Sequence, residues 1–402
     1  LGLERGREVL QRMNLHLACP VILVAGTNGK GSTCAFLEAI LQAAGCRTGL
    51  YTSPHLLRYN ERVRIDGEDC SDKAIVAGLA AVEAARRETS LTYFEHGTLG
   101  AAWQFARASV DAAILEVGLG GRLDAVNLFE PDVSIVTSVD LDHQDWLGAD
   151  REAIGLEKAG VFRPGKPAIC ADPQPPRSLR QHARKMAARL QLIGHDFGYR
   201  PSADRWEFYW YGQTLSGLPL PAMVGEYQLR NAAAALAGLL NVQDSLPVTE
   251  AAIHQGLRKA HAAARFQTLA GKPEVILDVA HNPEAARALA GNLRARPVAG
   301  RTLAVFALLA DKDLPAVVSP LEDLIDAWYV CGLKGPRTRP ADELARDVSK
   351  LIGNRTVESY PSPGEGCSAA LSAATENDRI LVFGSFHTVE SVLAAYPTWQ
   401  FR

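Results

Sequence analysis

The stretch VILVAGTNGKGST (residues 21–33) passes from an apolar run, through a glycine-rich loop, into helix-forming residues. The apolar run shows no alternation, so it predicts a strand buried on both faces, as in a parallel sheet. Residues 33–44 predict a helix, with Gly45 placed as its C-terminal cap. Between them lie Gly26, Thr27, Asn28, Gly29, Lys30, Gly31 and Ser32. Glycines there let the backbone turn tightly and aim N–H groups at phosphate oxygens. The helix N-terminus adds the positive end of its dipole and Lys30 a point charge. The Ser32 hydroxyl can reach a magnesium ion. The strict P-loop spacing is not met, because Lys30 is followed by Gly31 and the loop is shorter. An ordinary glycine-rich turn is the alternative. With a strand before it and a helix after it, the loop indicates a nucleotide phosphate, but not a reaction.

Outward from this loop the same rhythm repeats. RTGLYTS (47–53), DAAILEVG (111–118), VSIVTSV (133–139) and KPAICA (166–171) read as further buried strands. Helical stretches separate them at 72–88, 98–108 and 151–159. Strands alternating with helices predict an α/β fold with a mostly parallel sheet covered on both faces. RWEFYWYG (205–212) is aromatic and nearly alternating, which predicts a small antiparallel excursion. A long alanine-rich helix is expected from Gly225 through NAAAALAGLL, with Asn231 opening the alanine run at a position compatible with an N-cap. After a GKP turn at 271–273, EVILDVA, LAVFALL, DAWYVCG and RILVFGS predict the strands of a second, smaller, Rossmann-like α/β domain. The boundary falls within 266–273, giving domains 1–268 and 269–402.

The chain has 402 residues, too many for one ordinary core, so two domains are expected on length as well. Its net charge of -3 provides no basic field for nucleic acid, so anionic ligands need local lysines and arginines. Seven scattered cysteines with no CxxC pair argue against a disulfide framework and for a reducing cytoplasm. No apolar run reaches the ~18 residues of a membrane span.

Glu116 ends one predicted strand, and His143 follows another in DLDHQDWLG. In a parallel sheet the C-terminal ends of the strands share one edge with the phosphate loop, so both residues can converge on the phosphates. Carboxylate and imidazole both bind divalent ions, although magnesium prefers oxygen. On residue type alone, Glu116 is equally well a solvated or ion-paired residue, and His143 a hydrogen-bonded structural one.

GTNGKGS, YTSPHL, TYFEHGTL, LEVGLGGRLDA, LDHQDWLG, EKAG, ARFQ and DVAHNP occur in this order. The series resembles the folylpolyglutamate synthase/dihydrofolate synthase family of the Mur ligase superfamily, from the phosphate loop to the terminal GSFHT. The resemblance implies a Mur-type ATPase domain followed by a glutamate-ligase domain, with ATP and two magnesium ions as cofactors. It implies that Thr27, Asn28, Gly29, Lys30, Gly31, Ser32, Asn231, Arg265 and Asp278 contact ATP. It implies metal ligation by Ser32, Ser53, Glu116 and His143, and a catalytic set of Lys30, Lys158 and His281. Lys158 would be N6-carboxylated, which turns a cation into an anion beside the metals. Carboxylation needs the neutral amine, and buried lysines lose their proton readily. The alternative for Lys158 is a phosphate-neutralising or surface lysine; His281 can equally be a backbone-satisfied residue at a helix entry. Thr92, Tyr93, Phe94, Glu95, Leu123, Asp124 and Ala125 correspond to the pterin side of the acceptor site. One of the two rings, Tyr93 or Phe94, is expected to serve core packing instead. The turn Gly384-Ser385-Phe386-His387 is a candidate for holding glutamate. In this family the segment before the phosphate loop also touches pterin, and part of it is expected upstream of Leu1.

The activity implied is ATP-dependent ligation of L-glutamate to dihydropteroate and to reduced folates through an acyl phosphate. The enzyme would act on small molecules as a cytoplasmic monomer, without nucleic acid or membrane. Three alternatives stay open at this level: a folylpolyglutamate synthase alone, a peptidoglycan-type Mur ligase, and a P-loop nucleotide switch that ligates nothing.

Overall fold

The computed structural model describes residues 2–396; the outer ends of the two expected domains, Leu1 and residues 397–402, lie outside it. The described residues form two compact units. One holds residues up to 222 together with 226–261, and the other holds 223–225 together with residues from 262 onward.

In the first unit α1 (Glu4–Arg12) precedes β1 (Val21–Ala25), α2 (Lys30–Ala43) and β2 (Thr48–Tyr51). The short strands β3 (Val63–Ile65) and β4 (Glu68–Asp69) lead to α3 (Asp72–Arg86) and α4 (Tyr93–Ala108). Next come β5 (Ala112–Glu116), β6 (Val133–Val136), α5 (Gln144–Leu147), α6 (Arg151–Ala159), β7 (Pro167–Cys170), α7 (Arg177–Lys185) and β8 (Arg189–Leu192). A separate antiparallel sheet, β9 (Phe197–Pro201), β10 (Arg205–Trp210) and β11 (Gln213–Pro219), is followed by α8 (Glu226–Leu240) and α9 (Glu250–Lys259).

The main sheet has the order β4-β3-β2-β5-β1-β6-β7-β8, parallel except for β3 and β4. Every residue of β1, β5, β6 and β7 is buried, which is why these strands read as unbroken apolar runs. Leu23, Leu115 and Val136 from the sheet join Phe105 of α4 and Phe162 in one core. The register pairs Val24 with Glu116 on one side and with Ile135 on the other. The loops leaving β1, β5 and β6 therefore emerge side by side.

α2 begins at Lys30 rather than residue 33, and two further helices depart from the sequence reading at their starts. α4 begins at Tyr93 rather than residue 98, because Thr92 and Glu95 form a reciprocal cap: the Thr92 hydroxyl accepts from the Glu95 N–H, and the Glu95 carboxylate from the Thr92 N–H. α8 begins at Glu226, so Asn231 is not a cap but a buried interior residue. The alanine run marks only the apolar part of that helix; its first turns carry polar side chains turned inward.

The second unit contains β12 (Gln267–Leu269), β13 (Glu274–Leu277), α10 (Pro283–Ala295), β14 (Thr302–Phe306), α11 (Leu314–Val318) and β15 (Ala327–Cys331). It continues through α12 (Ala341–Ile352), β16 (Thr356–Tyr360), α13 (Pro363–Ala373), β17 (Arg379–Phe383) and α14 (Phe386–Ala395). The order is β12-β13-β17-β14-β15-β16, parallel except for β12 against β13. Phe306, Trp328 and Phe383 pack edge-on or tilted against one another at its centre, with centroids 4.8 to 6.0 Å apart.

On α2, below the glycine loop, Glu38 is buried with one oxygen 3.1 Å from Arg64 Nη1 and the other without a hydrogen bond. Burial pushes its carboxyl up to about 7, against the pull of Arg64. A raised carboxyl pKa means the folded state keeps a proton that the unfolded state releases, so this contribution is complete below 4.5 and lost as pH rises through 7. Glu38→Gln should remove it. In urea unfolding, parent stability relative to the variant should drop by on the order of 1–3 kcal/mol between pH 4.5 and 7.5. A difference that does not change with pH would contradict the assignment.

Candidate active site

The loop after β1 is tied to the end of β6. The Thr27 N–H donates to the Ser138 carbonyl at 2.8 Å and the Asn28 N–H to Ser138 Oγ at 3.1 Å. Thr137 Oγ1 donates to the Asn28 carbonyl at 2.6 Å, and the Thr27 hydroxyl lies 3.0 Å from the Asp140 N–H. Gly26 (φ +147°) has no room for a side chain, since a Cβ there would lie 1.9 Å from Thr137 Oγ1. Gly29 stands at the N-cap of α2 with φ +87° and makes no side-chain cap, so the first N–H groups of that helix have no side-chain acceptor at the cap. A Cβ at Gly29 would lie 2.4 Å from Asn231 Oδ1. The Lys30 ammonium donates to the Gly26 and Thr27 carbonyls at 3.0 and 3.1 Å, holding its own loop closed.

Around this loop gather several residues expected from the sequence. The buried Glu116 carboxylate accepts the Ser53 N–H at 3.1 Å. Its oxygens lie 3.9 and 4.0 Å from a Cβ built at Gly31, so it faces the first turn of α2. Ser32 is buried there, and its hydroxyl accepts from the Gln228 amide at 3.2 Å. A hydroxyl and a carboxylate thus both stand at the first turn of α2, the donor types that suit a hard divalent cation. Among the described residues no three His, Cys, Asp or Glu side chains form a ready metal cage.

His143 stands at the N-cap of α5 with φ +51° and is partly exposed, its Nε2 3.9 Å from Asp142 Oδ1. Lys158 is buried in the last turn of α6, where its backbone packs against Gly121. The preceding Glu157 pairs with Arg122 at 2.8 Å.

On the acceptor side, Thr92 and Glu95 are engaged in the cap of α4, and Glu95 also pairs with Arg5 at 3.2 Å. Phe94 packs on Tyr51, centroids 5.8 Å apart, and against Gly118. Tyr93 is instead 63% exposed, edge-on to Tyr59 and 5.4 Å from the Arg62 guanidinium. The packing role expected for one ring thus falls to Phe94. Leu123 is half-buried and Ala125 buried beside Asp124, which accepts the N–H groups of Leu119 and Val126 at 2.8 and 3.1 Å. Burial pushes the Asp124 carboxyl up to about 7 in spite of those donors.

In the second unit Asp278 directly follows β13, which is preceded in the same sheet by the unforeseen strand β12. Asp278 accepts the N–H groups of Phe266 and Ala280, both at 2.8 Å. Its burial raises the carboxyl pKa, while Arg265 opposes the shift. The Arg265 guanidinium lies 5.6 Å from the Phe386 ring centroid. His281 Nδ1 is 2.7 Å from the Val279 carbonyl, just before the Asn282 cap and Pro283 start of α10. Ser385 caps α14 and is buried; His387 is exposed beside Glu390.

Sequence reading missed Thr137, Ser138 and Gln228. Their signal was present: a Thr-Ser pair ending an apolar strand, and an amide ahead of an alanine run. Replacing Gly29 by alanine forces a Cβ into the left-handed region and against Asn231. Chemical unfolding should register a loss of about 1–3 kcal/mol, and a loss below ~0.5 kcal/mol, within the ordinary range for surface substitutions, would contradict this geometry.

Comparison with known proteins bears on both units. The Mur ligase middle domain family matches residues 24–239, and the family described as Mur ligase, glutamate ligase domain matches residues 264–386. The chain is 46% identical to the dihydrofolate synthase/folylpolyglutamate synthase of Escherichia coli, over 98% of this chain and 90% of that protein. The solved structure of E. coli FolC in complex with DHPP and ADP superposes with a TM-score of 0.93, at 46% identity, covering 99% of this chain and 94% of that one. A bifunctional folylpolyglutamate synthase/dihydrofolate synthase with Mn, AMPPNP and L-glutamate bound superposes with a TM-score of 0.91, at 45% identity, covering 99% and 94%. The chain belongs to the dihydrofolate synthase/folylpolyglutamate synthase family of Mur ligases.

Proposed function

We propose that this chain is an ATP-dependent carboxylate–amine ligase. It joins L-glutamate to dihydropteroate, forming dihydrofolate, and to reduced folates, lengthening their glutamate tail. The observation that carries this reading is the single sheet edge at which the loop 26–32, Ser53 and Glu116 meet. Relatives named for both activities match nearly the whole chain.

The acceptor carboxylate is phosphorylated to an acyl phosphate, and the α-amine of glutamate then displaces phosphate. Residues 27–32 would cradle the phosphates through backbone N–H groups, with Asn231, Arg265 and Asp278 as further ATP contacts. Ser32, Ser53, Glu116 and His143 would hold the magnesium ions. Magnesium bound there supplies neutralisation of phosphate charge. Lys30, now satisfied by its own loop carbonyls, would exchange them for phosphate oxygens, and Arg265 would offset developing phosphate charge. His281 completes the catalytic set at the turn into α10.

For Lys158 we propose N6-carboxylation; its burial at the end of α6 supports this, since a carbamate forms from a neutral amine kept from water. Thr92–Glu95 and Leu123–Ala125 would line the pterin side, with Asp124 as the polar anchor. We assign ATP binding to residues 1–268 and glutamate ligation to 269–402. We further propose a monomeric, cytoplasmic enzyme acting on small molecules without nucleic acid. Seven unpaired cysteines agree with a reducing compartment. No described helix is long and apolar enough to cross a membrane.

Phosphate release from ATP should require glutamate together with an acceptor, and product mass should identify dihydrofolate from dihydropteroate and a one-glutamate extension of tetrahydrofolate. Activity with tetrahydrofolate alone would reduce the function to polyglutamylation; release indifferent to both acceptors would refute ligation. Lys30→Ala should lower turnover about 10²–10³-fold with unchanged circular dichroism, and a loss under ~10-fold would remove Lys30 from that role.

Carboxylation of Lys158 has its own readout. Protein equilibrated with ¹³C-bicarbonate should give one carbamate carbon resonance that vanishes in Lys158→Ala along with activity. Persistence of the resonance, or full activity of the variant, would overturn the assignment.

A further inference from the structure

We propose that Gln228 is a positioning residue for the Ser32 hydroxyl; this rests on the metal-binding role proposed above for Ser32. Gln228 is fully buried in the first turn of an otherwise alanine-rich helix, where an amide is costly unless both its ends are satisfied. Both are. Its Oε1 accepts from Asn231 Nδ2 at 3.0 Å, and its Nε2 donates to Ser32 Oγ at 3.2 Å. With the Gln228 carbonyl facing the Asn231 amide nitrogen, its NH₂ group faces Ser32.

A serine hydroxyl carries one proton and two lone pairs. The Gln228 N–H occupies one lone pair, so the Ser32 proton must point away from Gln228 and the second lone pair turns out of the α8 contact. Glu116 faces the same first turn of α2, 3.9 Å from a Cβ built at Gly31. The Ser32 hydroxyl is thereby restricted before any ion arrives: its proton and its remaining lone pair share the two positions that face away from Gln228. At the other end of the relay, Asn231 Oδ1 lies where a Cβ at Gly29 would stand. Gln228 bonds the loop side through Ser32 alone, and its removal should be felt as weaker metal binding before it is felt as lost structure.

The test compares Ser32→Ala, Gln228→Met and the double variant. Gln228→Met keeps length and apolar volume but removes both the donor to Ser32 and the acceptor for Asn231. ADP binding is measured by calorimetry with EDTA, with Mg²⁺ and with Mn²⁺, and half-saturating Mg²⁺ is taken from the ligase assay. Gln228→Met should raise half-saturating Mg²⁺ about tenfold, the range expected when a group orienting a metal ligand is lost. ADP affinity in EDTA should change less than threefold. In the Ser32→Ala background the Gln228 change should add less than a further twofold, because its action passes through that hydroxyl. Gln228→Glu preserves shape and the acceptor for Asn231 while losing the N–H to Ser32, so it must reproduce the metal effect even if the methionine variant proves unstable. An unchanged Mg²⁺ requirement in both Gln228 variants, full additivity with Ser32→Ala, or an equal loss in EDTA would each overturn the role. An unchanged Mg²⁺ requirement in Ser32→Ala would overturn the metal assignment of Ser32 as well; an unchanged one in the Gln228 variants alone overturns only the positioning role.

Discussion

The space that a side chain at residue 26 would need is already taken by Thr137. With no Cβ at Gly26, the chain leaving β1 lies flat against the end of β6, close enough for Thr137 and Ser138 to hold the Asn28 peptide from both sides. Everything else at this edge depends on that contact. It sets the direction in which α2 starts and hence where Lys30, Gly31 and Ser32 stand. A larger residue at 26 would move the loop as a body, because its buried anchors directly follow a neighbouring, fully buried strand that cannot shift with it.

α2 is then fixed by two polar contacts set among apolar ones. At its start Ser32 meets Gln228, and in its middle Glu38 meets Arg64. Around them Phe36, Leu37, Ile40 and Leu41 are buried. Apolar packing alone would tolerate small rotations of such a helix, whereas hydrogen bonds at fixed distances select one orientation. The arrangement gives the glycine loop a rigid base and leaves Lys30, bonded to two loop carbonyls, able to exchange partners.

Much of the fold was legible because buried parallel strands are written as unbroken apolar runs. β1, β2, β5, β6 and β7 were all found this way, as were β13, β14, β15 and β17, and the alternating aromatics foretold the antiparallel sheet. The strand β16 escaped because, at the sheet edge, its residues Thr356–Tyr360 are mostly solvent-facing and carry no apolar signature. β3, β4 and β12 escaped because two or three residues are too few to display a period. The start of α4 was misjudged because Tyr93-Phe94-Glu95 resembles a ligand-facing segment, while Thr92 and Glu95 also satisfy the rule for a helix cap. The placement of Asn231 at a helix start failed for the converse reason: a polar residue before an alanine run looks exposed, yet it points inward to another buried amide.

By itself the sequence determined which residue types could do chemistry and in what order they lie, since glycines, a lysine and hydroxyls between a strand and a helix can serve few other ends. It also determined the two-part α/β organisation, through the period and burial of its apolar runs. Only the tertiary structure decided which of these groups meet. Parallel register set Val24 beside Glu116, carrying that carboxylate to Ser53 and the loop across more than sixty positions of chain. The folded helix α8 likewise brought Gln228 to Ser32, a pairing separated by 196 residues. No local pattern encodes such a contact, because its energy comes from satisfying a buried amide that exists only once the surrounding core has formed.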